Sequence, residues 1–285
     1  MNNTYDENLT KALSGDYEFS IKSVISNAWF KVKGVKSSYW GAFGLYLAII
    51  IGISIIGGII FGIASLFFTI PSEALKQGAA HMQHPVSFII LQLVRAVFEL
   101  FIMAFITLPM LAGVFLIGLR WTKLKEASTY YIFRFYKKKY IWNLFLMWFC
   151  STLVFMVLGA IASAAMGTLS AADLGLPIKA LFITSAVLCI LALIYCMVSF
   201  MFAFPLIVDR GMKGIQAIRV STKAVSHRWF KVFGFFIVVS FFILISGLPL
   251  FIGFIWSFPW TYNALAEAYK SIFGIAGQDP VTLEQ

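Results

Sequence analysis

Across 285 residues the chain is 61% hydrophobic and 12% charged, with a net charge of +10. Soluble domains carry about 25% charged residues, so this composition excludes a water-soluble globular domain and points to a membrane protein. The basic residues sit in short stretches between apolar runs, which follows the orientation bias of membrane proteins and argues against nucleic-acid binding.

Residues 1–18 are polar and are expected to form a mobile tail. Asp6, Glu7, Asp16 and Glu18 stand where a signal peptide needs a basic and then an apolar region, so insertion is expected to use internal spans. Over residues 19–36, Ile21, Val24, Ile25, Ala28, Val32 and Val35 share one helical face, with Lys22, Ser26, Lys33 and Lys36 on the other. That pattern predicts a helix lying on the membrane surface.

Residues 39–70 carry no charge over a length well above the roughly 20 residues needed for a span. A polar loop over 71–85 contains His81 and His84. The second span starts near residue 86, passes 110 and carries Arg95 and Glu99. Residues 113–140 are basic and aromatic, as suits an interface. A third span covers about 141–170 and a fourth 181–208. Cys150, Cys189 and Cys196 fall within these apolar runs and read as small hydrophobes, not a disulfide framework. Residues 233–258 are apolar but broken by Gly247-Leu248-Pro249, which favours a tight hairpin and a sixth helix reaching 273. The alternative is one long fifth span with the C-terminus on the far side.

Five Lys or Arg residues lie in the N-terminal arm, seven in 120–139 and six in 210–231, against Lys76 and Lys179 in the opposite loops. This bias places the N-terminus and, with six spans, the C-terminus in the cytoplasm. Phenylalanine-rich helix ends close at Pro109, Pro205 and Pro259, and the sequence Trp-Phe-Lys-Val occurs at 29–32 and 229–232. The expected fold is all-α and polytopic. It has six transmembrane helices in three hairpins, each preceded by a basic amphipathic or interfacial segment. Residues 19–274 form one membrane domain with approximate repeats 19–127, 128–211 and 212–274, and 275–285 form a C-terminal tail.

The run Pro205-Leu206-Ile207-Val208-Asp209-Arg210-Gly211, followed by Ala217, Ile218, Ser221 and Ala224, resembles the recurring segment of uncharacterised bacterial multi-span inner-membrane proteins. The resemblance is concentrated in residues 200–270, with weaker echoes at 19–45. It implies a cytoplasmic-membrane protein of about six helices and carries over no catalytic residue.

Arg95 and Glu99 stand one helical turn apart inside the second span, where an ionisable group is costly unless paired or facing a wet cavity. Two readings stay open: a polar cavity or anion site between hairpins, and a self-neutralised pair that pins packing. His81 and His84 are weak metal candidates, lacking further ligands nearby. Asp209 and Arg210 read as a helix-end joint, with Asp209 capping the following helix. Lys22, Lys33, Lys36, Lys213, Lys223 and Lys231 are expected to anchor the chain on anionic headgroups.

No nucleophile triad, carboxylate pair or phosphate loop is visible, so neither an enzymatic reaction nor a cofactor is expected. The leading expectation is an inner-membrane protein that binds or helps move a lipid-like or amphipathic molecule, or supports an envelope transport assembly. A small channel or secondary transporter using Arg95 and Glu99 is one alternative, and a structural subunit is another. Membrane lipids are the expected partners, with membrane proteins or further copies of the chain as the remaining classes.

Overall fold

The computed structural model describes residues 3–75, 85–171, 175–248 and 252–276. The described residues are predominantly helical, with no strand among them. The α-helices are α1 (Asn3–Ser14), α2 (Ile21–Leu75), α3 (Pro85–Ile102), α4 (Leu108–Leu124), α5 (Lys138–Ala171), α6 (Leu176–Ser199), α7 (Ala203–Arg210), α8 (Gly214–Ser226), α9 (Trp229–Gly247) and α10 (Phe254–Phe273). A π-helical turn, Met103–Thr107, joins α3 to α4, and a 3-10 turn, Thr129–Phe133, precedes α5. Among the described residues, five helical stretches are long and apolar enough to cross a membrane: Ile21–Ser65, Ile89–Leu124, Lys138–Leu169, Pro177–Arg210 and Trp229–Gly247.

The expected break between a surface helix and the first span is absent. No proline interrupts residues 21–70, and α2 runs unbroken for 55 residues, about 80 Å at 1.5 Å per residue. A bilayer with its headgroups is about 40–45 Å thick, so only part of α2 fits within one. Its two halves differ. Ile51, Ile55 and Ile59 are more than half exposed, whereas Val24, Ala28, Val32, Val35, Tyr39 and Ala42 are buried. The face assigned to the membrane surface from its periodicity therefore packs on protein. The spacing of an apolar stripe is the same whichever surface covers it.

That burial belongs to a core built from α4, α7, α8, α10 and the first half of α2, sealed by Tyr140 and Leu144 of α5 and Phe235 of α9. Two contacts without a Cβ set the spacing inside it. A methyl on Gly113 would stand 2.3 Å from Ile132 Cα and from the Tyr131 carbonyl oxygen, so the 3-10 turn rides directly on the α4 backbone. A methyl on Gly34 would stand 2.2 Å from the Trp121 ring, whose Nε1 donates to the Lys31 carbonyl at 2.8 Å.

The N-terminal segment is a correction to the expected mobile tail. Residues 3–14 form α1, Ala12, Tyr17 and Phe19 join the core, and the Tyr17 hydroxyl donates to the Ala224 carbonyl at 2.9 Å. Burial pushes the Tyr17 phenol up, partly offset by Arg228, whose guanidinium lies 5.6 Å from the ring centre. His227 Nε2 lies 3.0 Å from the Leu13 carbonyl, and Lys123 Nζ donates to the Ala276 carbonyl at 2.6 Å. The basic segments around residues 11–36, 120–139 and 210–231 thus contact one another or the end of α10.

Between α9 and α10 the chain turns back. Phe242 of α9 packs on Trp260 of α10 with ring centroids 4.4 Å apart, and a methyl on Gly253 would meet the Ser246 backbone. Residues 233–273 are therefore two helices, not one long span.

Candidate functional site

α10 carries the polar groups that tie the core together. Trp260, Asn263 and Glu267 recur at helical spacing and are all buried. Glu267 pairs with Lys31 of α2, joining residues 236 positions apart. One turn earlier on α10, the Tyr39 hydroxyl donates to Asn263 Oδ1 at 3.1 Å, both residues being fully buried. These groups went unnoticed in the sequence because each partner lies on a distant helix. The available signal was Asn263 and Glu267, four apart on one face of an otherwise apolar helix.

At the other end of α10, Asp209 takes a different role from the one its position suggested. Gly211, at φ 62°, ends α7 in the left-handed conformation. α8 then begins at Gly214, behind Lys213 at the N-cap position and with no side-chain cap, so Asp209 does not cap it. Instead Asp209 Oδ2 accepts from the Tyr269 hydroxyl at 2.8 Å and from the Ala276 backbone N–H at 3.0 Å. Arg210 Nη2 donates to the Phe273 carbonyl at 2.6 Å, in the last turn of α10, where a cation also suits the helix dipole. Asp209 and Arg210 are thus a lock between the end of α7 and the end of α10.

The three proline joints differ in structure. Pro109 follows the π-helical turn, Pro205 sits in α7 just after the break at Phe200 to Phe202, and Pro259 lies inside a continuous α10. Near each one a side chain from another element donates to a backbone carbonyl. Tyr136 donates to Ile106 at 3.1 Å, Ser221 to Ser199 at 2.6 Å and Trp40 to Ile255 at 3.2 Å. Ile255 is four residues before Pro259, so its carbonyl is the one that the proline deprives of an N–H.

Arg95 Nε donates to Glu99 Oε1 at 2.9 Å along α3. Their side chains are 59% and 63% exposed on the outside of the helix, among the comparably exposed Leu93, Val94 and Val97. The pair lies on an outer surface and not in a cavity between helices. His81 and His84 lie outside the described residues. Among the described residues no group of three or more His, Cys, Asp or Glu side chains is arranged to hold a metal ion, and Cys150, Cys189 and Cys196 are free thiols.

The remaining basic candidates spread over several surfaces. Lys36 Nζ stands 4.3 Å from the Trp256 ring centre. Lys213 and Lys223 are exposed on α8, whose buried face is Ala217, Ser221, Ala224 and Val225. Lys22 and Lys33 on α2, and Lys231 on α9, are exposed, and α2, α9 and α10 together border an open groove of ≈310 Å³. The groove is lined by Ile25, Ser26, Trp29, Phe30, Val238, Phe242 and Trp260, with Ser26 and the Trp indoles its only side-chain polar groups. No family model matches the chain, and no match was found among curated proteins or solved structures.

Proposed function

We propose that the chain is a non-enzymatic protein of the bacterial inner membrane that binds a lipid-like or amphipathic molecule. The observation that carries this reading is the groove between α2, α9 and α10, apolar on its walls and open to the surroundings. Small-molecule sites are concave and mostly apolar with few polar groups, and this groove has that character. Trp29 and Phe30 stand at its rim, 51% and 78% exposed, and such aromatics suit the boundary between headgroups and acyl chains.

In this reading α10 is the sixth membrane helix, shielded from lipid by its neighbours, and both termini lie in the cytoplasm on the basic side. The likeness of residues 205–224 to multi-span inner-membrane proteins supports the same location. Arg95 and Glu99 neutralise each other within α3 and take no part in the ligand site.

The test uses the full chain purified in a neutral maltoside detergent and incubated with phospholipid, with retained lipid counted by native mass spectrometry. The parent is expected to retain phospholipid, and Ser26→Trp, which fills the groove from an exposed position, is expected to lose it. Equal retention by both proteins excludes the groove as the binding site.

A further inference from the structure

The groove has charges at its ends that its apolar walls do not explain. Lys22 precedes Ser26 by four residues and Lys33 follows Trp29 by four, so both fall on the α2 face that lines the groove. On α9, Lys231 precedes Val238 by seven residues, two turns away on the same face. The two helices run side by side in the same direction. Phe19 meets Phe235 at 5.9 Å, Ile21 abuts Gly234, and Trp29 meets Phe242 at 6.0 Å. Lys22 and Lys231 therefore flank the same end of the groove, the end nearest the start of both helices.

Neither lysine has a hydrogen-bond or ion-pair partner among the described residues, and both are exposed. Glu18, four residues before Lys22, precedes the start of α2 and makes no ion pair with it. By contrast Lys31, on the opposite face of α2, is committed to Glu267. Of the four lysines of this helix, Lys31 thus braces the core, Lys36 stands over Trp256, and Lys22 and Lys33 fall on the groove face.

Resting on the reading above, we propose that the groove selects an anionic phospholipid. The headgroup sits at Lys22 and Lys231, and one acyl chain runs between α2 and α9 past Ile25, Trp29 and Phe242. An ammonium group is a compact, mobile donor that meets a phosphate as a point charge, which suits an exposed headgroup site. A zwitterionic lipid fills the same apolar walls but offers no net charge to the two cations. Headgroup preference is therefore set at the groove end and chain binding along its length.

The experiment is a competition between phosphatidylglycerol and phosphatidylcholine on the purified full chain in maltoside, read by native mass spectrometry. The parent is expected to prefer phosphatidylglycerol. Lys22→Gln and Lys231→Gln are each expected to lower that preference roughly fivefold, the effect of one basic residue near an anionic surface. Both lysines are exposed, so neither variant is expected to alter folding, and a thermal melt of each checks this. A parent without preference, or a double variant that keeps the parent preference, overturns the headgroup assignment. If total lipid retention persists in those cases and is still lost in Ser26→Trp, the groove reading stands while the anionic selection fails. If Ser26→Trp also retains lipid, both fail.

Discussion

The Ser221 hydroxyl lies 2.6 Å from the carbonyl oxygen of Ser199 and accepts from the Phe202 backbone N–H at 3.2 Å. One side chain of α8 thus serves both edges of the break between α6 and α7. Ala217 and Ala224, four residues before and three after it, are fully buried and let the helix approach that closely. Ser221→Ala is expected to cost about 1–3 kcal/mol by leaving buried backbone groups unmatched, and Ala217→Leu to cost a similar amount by overpacking. Thermal unfolding in detergent measures both.

The Lys31–Glu267 pair braces α2 against α10, with Glu267 buried and Lys31 partly exposed. Removing Lys31 leaves the buried Glu267 carboxylate uncompensated, so Lys31→Met is expected to destabilise by about 3 kcal/mol. Lys31→Met with Glu267→Met removes both charges and is expected to recover most of that loss. A double variant as unstable as the single one would show that the pair contributes through more than charge balance.

Arg95 and Glu99 face outward, so their expected effect is on insertion. An unpaired charge at a helix centre costs about 2.5–3.5 kcal/mol on insertion scales, and Arg95→Leu or Glu99→Leu alone is expected to lower membrane integration. The double Leu variant is expected to integrate at least as well as the parent and to retain lipid equally. Loss of function in a well-integrated double variant would instead place the pair in a transport pathway.

Tyr136 links alkaline stability to the proline joint at residue 109. Burial pushes its phenol up to about 12, whereas an unfolded tyrosine titrates near 10. The folded state therefore holds this proton more tightly. The associated stability is complete below about pH 10 and is lost as pH rises through about 12. Melting temperature is expected to fall over that window in the parent and less steeply in Tyr136→Phe. The variant should also be less stable at neutral pH, because it lacks the hydrogen bond to Ile106.

The helices and the long apolar runs were legible in the sequence, because charge-free length and periodicity are local properties. Ala217, Ser221 and Ala224 were visible as a pattern, but their purpose was not, since the carbonyl that Ser221 serves belongs to another helix. The stripe from Val24 to Val35 gave the correct face and the wrong neighbour. Asp209 was placed at a helix end correctly, yet its partners Tyr269 and Ala276 lie 60 and 67 residues further on. The groove needs α2 and α9 side by side, an arrangement no single stretch encodes.

The length of the link between α2 and α10 also has a consequence in time. Lys31 and Tyr39 leave the ribosome early, while Glu267 and Asn263 follow 236 and 224 residues later. Contacts this distant in sequence form late and slowly. Val35, Tyr39 and Ala42 find apolar partners on α4 once that helix is made, but the Lys31 cation and the Tyr39 hydroxyl stay without their α10 partners until the end of synthesis. The brace between α2 and α10 therefore closes last, only after α10 has been made.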